Sequence, residues 1–178
     1  MMDLKEKTKS SEIIYKGRLL DVRKDSVLLP NGSMSTREWI NHPGAVCCVP
    51  IFKDGKIALI RQFRYPVQKV MLELPAGKID NGEAPEICAN RELEEEIGYF
   101  AKKLTFLTVI YPAVGFANEK MSLYLAEDLH KTKSNLDEDE FLELVPTTLE
   151  NAIQMVWNGK ITDVKTIIGL LWADKLLK

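Results

Sequence analysis

The sequence predicts a mixed α/β (α+β) fold, a sandwich built on a mixed sheet and preceded by an antiparallel β appendage. Three observations predict it. Short strand-like apolar runs fill residues 11–64, a single helical stretch lies at the centre, and two helical stretches close the chain. Strands and helices do not alternate as a repeat, which disfavours a Rossmann or (β/α)8 architecture.

The elements follow in order. EIIYKG, RLLDVRKDSVLL and STREWIN read as strands, with a turn at Pro30-Asn31-Gly32 before the third. AVCCVPIF, residues 45–52, is a continuous apolar run, the pattern of a strand buried on both faces. Lys53-Asp54-Gly55 between two apolar runs signals a hairpin into KIALIRQFR, residues 56–64. MLELPAGKI breaks at Pro75 to Gly77. A helix is predicted from Ala84 to Ile97, with Pro85 at its first position and Gly98 just past its end. Strands follow at 103–111 and 120–126, then a polar acidic loop at 130–140 and the short strand FLELV. Thr147-x-x-Glu150 reads as a capping box for a helix to Trp157. Thr162 or Asp163 caps a last helix to Leu177, with Val164, Ile167, Ile168, Leu171 and Trp172 on one side. Trp157 and Trp172 are expected in the core.

Composition excludes several classes. Apolar residues make 46% of the chain and charged residues 28%, which rules out wholesale disorder. A net charge of −2 gives no global basic field for nucleic acid or an anionic membrane. No apolar run reaches a membrane span, and MMDLKEKTKSSE has no signal-peptide core, so a cytoplasmic setting is expected. Cys47, Cys48 and Cys88 are odd in number and read as small buried apolar residues rather than a disulfide framework. With His42 and His130 the only histidines, any metal would be a hard cation held by carboxylates.

The most informative segment is Arg91-Glu92-Leu93-Glu94-Glu95-Glu96-Ile97-Gly98. Its carboxylates crowd the end of a helix where the macrodipole favours cations. Glu92, Glu95 and Glu96 share a face at i, i+3, i+4, so they repel one another. Arg91 can meet Glu95 but cannot neutralise all of them. Mg²⁺ or Mn²⁺, which prefer oxygen ligands, can.

Gly77, Glu83 and this segment follow the spacing G-x5-E-x7-R-E-U-x-E-E-x-G-U from Gly77 to Tyr99, with Tyr99 at the usually aliphatic last position. The pattern is similar to the Nudix box. RQFRYP at 61–66, ELPAGKID at 73–80 and DEDE at 137–140 resemble the ADP-ribose pyrophosphatase branch of Nudix hydrolases. The resemblance implies a Nudix α/β/α sandwich over 43–178 and an N-terminal dimerisation region over 1–42. It implies divalent-metal-dependent hydrolysis of the diphosphate of nucleoside diphosphate sugars, with ADP-ribose giving AMP and ribose 5-phosphate as the first expectation.

By the same resemblance, Glu92 and Glu96 are the main metal ligands, and Glu95 and the Ala76 carbonyl complete the shell around Mg²⁺ or Mn²⁺. Arg91 orients Glu83 or Glu95. Glu138 or Glu140 serves as base, with Glu119 the next candidate for metal or substrate contact. Arg61, Arg64, Glu73 and Trp39 are substrate-binding candidates. Arginine suits a diphosphate, and strand alternation puts Arg61 and Arg64 on opposite faces, which favours Arg64. Trp39 could stack a nucleobase. Val114 stands where ADP-ribose-type members carry a proline, so GDP-mannose and other nucleotide sugars stay open. A triphosphate or dinucleoside polyphosphate hydrolase and a non-catalytic binding module are the further alternatives. A homodimer completes the implied picture, with no nucleic-acid or membrane partner.

Overall fold

The computed structural model describes residues 3–133 and 141–178. An antiparallel meander of β1 (Lys7–Lys16), β2 (Asp21–Leu28) and β3 (Met34–Ile40) opens the chain. β1 is exposed along its whole length. The remaining strands are β4 (Ala45–Pro50), β5 (Lys56–Arg64), β6 (Lys69–Glu73), β7 (Ala76–Lys78), β8 (Tyr99–Ile110), β9 (Met121–Lys131) and β10 (Leu142–Thr148). They form one sheet ordered β7-β4-β9-β8 and another ordered β10-β5-β6. The first is mixed, because β4 and β9 run parallel while β7 and β8 pair antiparallel.

Alternation along β4 builds the layers. Val46 and Cys48 pack towards α1 (Pro85–Ile97), with Cys88, Ala89 and Leu93. Cys47 and Val49 pack the other way, towards α2 (Leu149–Trp157) and α3 (Val164–Leu177), with Ala152, Ile153, Leu170 and Ala173. β5 divides likewise, Ile57 and Leu59 to one core and Ala58 and Ile60 to the other. Both central strands are therefore apolar at successive positions. All three cysteines are free and buried. No helix among the described residues is long and apolar enough to cross a membrane.

The structure corrects several readings of the sequence. The turn at 53–55 exists, with the Gly55 amide donating to the Phe52 carbonyl, but the strands it joins share only one bridge, Ile51 to Ile57, and then part into different sheets. Both edges of β4 are already taken, by β7 and β9. Ala76–Lys78 is not a break but a short strand pairing with Ala45–Cys47. Strands β8 and β9 extend beyond the predicted 103–111 and 120–126. The cap of α2 is Thr148, whose side chain accepts from the Asn151 amide, one residue later than the Thr147 box. Asp163 caps α3.

Trp157 and Trp172 are not core, being 68% and 45% exposed. The buried side of α3 is Thr166, Gly169, Leu170 and Ala173, rotated from the predicted stripe. Close approach to the sheet explains the rotation. A Cβ on Gly169 would lie 2.7 Å from Leu74 Cδ1, so the closest contact falls on small residues, with Ile167, Ile168 and Leu171 packing partly buried beside it.

Candidate active site

A cavity of about 960 Å³ opens where α1, β7, the end of β5 and the start of α3 converge. One wall is the acidic end of α1. Pro85 opens that helix, and Gly98 ends it in the left-handed conformation at φ 72°. The last turns thereby present Arg91, Glu92 and Glu95 to the cavity.

Arg91 is the hub of this wall. Its Nε and Nη2 donate to the two carboxylate oxygens of Glu83 at 2.9 and 3.0 Å. Nη1 donates to Glu92 at 2.7 Å and to Glu95 at 2.9 Å. Nη2 also reaches the Lys78 carbonyl at 2.9 Å, tying the helix to β7. The bonds from Arg91 hold the Glu83 carboxyl down at about 2, and those bonds in turn raise Arg91 above its ordinary value.

Glu92 and Glu96 meet the backbone of β7. The Ala76 amide donates to Glu96 Oε2 at 3.1 Å, and Glu96 is buried. A Cβ on Gly77 would fall 1.9 Å from the carboxylate carbon of Glu92, so only glycine admits this carboxylate. Glu94 is half-buried.

A second ion cluster also lines the cavity. Arg64, at the end of β5, donates through Nε and Nη2 to both oxygens of Glu73 at 2.8 Å each. Lys165 donates to Glu73 from the other side and to Asp163 at 3.0 Å. Burial opposes ionisation of Glu73, yet the Arg64 bonds and the Lys165 charge outweigh it and hold its carboxyl below the usual value. Burial likewise opposes the Lys165 charge, and Asp163 and Glu73 outweigh it.

The structure thus brings Ala76, Arg91, Glu92, Glu95, Arg64, Glu73 and Glu119 to one cavity. Arg61 does not line it. Arg61 pairs across the strands with Glu143 at 2.6 Å, with both side chains exposed. Trp39 also lies off the cavity, half-buried on β3 with Arg23 over its ring. Glu138 and Glu140 lie outside the described residues. Sequence reasoning missed Lys165. Its signal was a lysine two residues after the capping Asp163, at the start of a largely apolar helix.

Glu92 and Glu96, which meet the backbone of β7, are carboxylates, the donor type of a hard divalent cation. Among the described residues, no three His, Cys, Asp or Glu side chains stand together in metal-holding geometry. Arg91 instead draws Glu92 and Glu95 to itself. The fit to Mg²⁺ or Mn²⁺ therefore rests on donor chemistry and on the cradle at Gly77.

An α/β/α sandwich with this glutamate-bearing helix and glycine-led strand defines a Nudix domain. Residues 41–164 match the NUDIX domain family model, and residues 6–40 match the nucleoside diphosphate sugar hydrolase N-terminal domain. The chain belongs to the Nudix hydrolase family. It is 46% identical over 176 residues to an ADP-ribose pyrophosphatase of Bacillus subtilis (strain 168), covering 98% of this chain and 95% of that protein. It is 42% identical to a methanol dehydrogenase activator of Bacillus methanolicus, covering 95% of this chain and 92% of that protein. A crystal structure of an ADP compounds hydrolase superposes with a TM-score of 0.87 at 28% identity, covering 97% of this chain and 94% of that one.

Proposed function

We propose that the protein is a divalent-metal-dependent pyrophosphatase of nucleoside diphosphate sugars, hydrolysing ADP-ribose to AMP and ribose 5-phosphate. The observation that carries this reading is that two ion clusters line one cavity. Carboxylates bound to Arg91 and a guanidinium held by Glu73 both open onto it. The volume suits a nucleotide sugar. The similarity to an ADP-ribose pyrophosphatase supports the choice of substrate.

Glu92, Glu95, Glu96 and the Ala76 carbonyl would hold Mg²⁺ or Mn²⁺, which supplies charge neutralisation for the diphosphate and a more acidic bound water. Arg91 aligns Glu92 and Glu95. Arg64 orients the diphosphate. Glu138 or Glu140 takes the proton of the attacking water, a role assigned from the sequence alone.

The N-terminal region is assigned to a homodimer. β1 is exposed throughout, and Ile13, Ile14 and Tyr15 on it are each more than half exposed. A strand with free edges and apolar side chains invites pairing with a second copy. The dimer would set Trp39 near a substrate pocket. The cytoplasm is the expected location, with no nucleic-acid or membrane partner. Light scattering during gel filtration tests the assembly, and a mass of 20.2 kDa with full activity would refute it.

The substrate is tested by incubating the protein with ADP-ribose, GDP-mannose or ATP and either metal, and following nucleoside monophosphate release. AMP from ADP-ribose is expected. Hydrolysis of ATP alone would replace this reading with the triphosphate one.

A further inference from the structure

We infer that Lys165 is a positioning residue: through Glu73 it fixes the guanidinium of Arg64 in the orientation that meets the diphosphate. This rests on the reading of Arg64 as a diphosphate contact.

The two carboxylate oxygens of Glu73 are divided between two cations. Oε1 accepts from Arg64 Nε, while Oε2 accepts from both Arg64 Nη2 and Lys165 Nζ. Glu73 is 2% exposed and Lys165 7%, so water cannot substitute for either partner. Arg64 is the more accessible member, and its Nη1 has no partner among the described residues. The cluster therefore grips one edge of the guanidinium and leaves the other to the cavity. A planar fork held on one edge by a carboxylate has little rotational freedom left. A bidentate group fixed before binding loses less entropy when a diphosphate arrives.

Lys165 is in turn anchored. Asp163 accepts from Lys165, from the Thr166 amide at 3.0 Å and from the Thr166 hydroxyl at 2.6 Å. That hydroxyl oxygen accepts from the Leu74 amide at 2.8 Å, next to Glu73. The start of α3 thus grips the end of β6 at two successive residues. Leu74 and Pro75 alone separate Glu73 from Ala76, whose amide binds Glu96. With two cations and two carboxylates the cluster is neutral, so it holds Arg64 without adding charge of its own to the cavity.

A residue that only compensates a buried charge would affect folding. A positioning residue acts on substrate affinity through Arg64, so its effect must vanish when Arg64 is gone. The test is a double-mutant cycle with Mg²⁺ and ADP-ribose, using Lys165→Met, Arg64→Ala and the double variant, with thermal melts alongside. Lys165→Met is expected to raise KM about tenfold while kcat stays within about threefold, and to add less than about twofold in the Arg64→Ala background. If Lys165→Met does not fold, Lys165→Gln, which keeps a donor for Glu73 but not the charge, carries the same cycle, with a smaller KM rise of about threefold and the same non-additivity expected. Independent, multiplying effects on KM would overturn the inference, as would a lowered melting temperature with unchanged KM. If the wild-type protein turns over no ADP-ribose, the functional reading fails by itself. The cycle then uses calorimetric affinity for inorganic pyrophosphate with Mg²⁺. There the same non-additivity supports the positioning role, and additivity or no binding overturns it.

Discussion

The two ion clusters that line the cavity are built on opposite principles. At the end of α1, one guanidinium serves three carboxylates, Glu83, Glu92 and Glu95. At the start of α3, Arg64 and Lys165 serve Glu73 and Asp163, two cations for two anions. The first cluster is left with excess negative charge at a helix end that already disfavours it. It gains from an added cation. The second is balanced and buried, and gains only from staying closed. The difference separates a surface made to receive a ligand from one made to hold its own parts still.

Breaking the unbalanced cluster should affect chemistry most. Glu96→Gln is expected to lower turnover about a hundredfold or more with the fold intact, because a self-repelling charge and an oxygen ligand are lost together. Circular dichroism and nucleoside monophosphate release check this, and near-native turnover at saturating Mg²⁺ would remove Glu96 from the metal face.

Breaking the balanced cluster should cost stability alongside the weakened substrate affinity, and leave turnover nearly unchanged. Lys165→Met is expected to cost about 3 kcal/mol, the low end for a broken buried pair, because Arg64 still serves Glu73. Urea unfolding measures it. A loss no larger than that of an exposed pair would mean that Lys165 is solvated in the native protein.

The third comparison is in pH. The Glu83 carboxyl lies at about 2 in the folded protein against an ordinary 4.5. A lowered folded pKa contributes stability that is complete above 4.5 and is lost as pH falls towards 2. Wild-type stability should therefore fall more steeply than that of Glu83→Gln across this window. Parallel curves would show that Arg91 does not hold Glu83 in solution.

The smallest effect is a control. Arg61 and Glu143 are exposed on a strand pair away from the cavity. Arg61→Ala should change stability by less than about 0.5 kcal/mol and leave KM unaltered. A raised KM would bring Arg61 back as a substrate contact.

How legible these features were depended on the range of the forces that make them. Pro85 and Gly98 are local signals, and they marked both ends of α1. The continuous apolar run of β4 announced burial on two faces. The face of α3 was misread because Gly169 and Ala173 carry no hydrophobic signal, although their smallness is what lets the helix approach Leu74. The separation of β4 from β5 depended on which partners took β4's edges, a long-range matter that no turn motif encodes. The Nudix spacing located Arg91 and its glutamates in one stretch. The cluster around Glu73 joins residues from β5, β6 and α3, and only the fold assembles it.

The three buried thiols give this fold its own clock. Cys47 and Cys48 occupy the central strand and Cys88 the inner face of α1, each no more than 1% exposed. Burial suppresses their thiolates, raising Cys88 to about 12 and the other two also well above the usual range. Alkylation at neutral pH must then wait for the protein to open. The order in which the three sulfurs become labelled would tell whether α1 detaches before the strand beneath it is exposed.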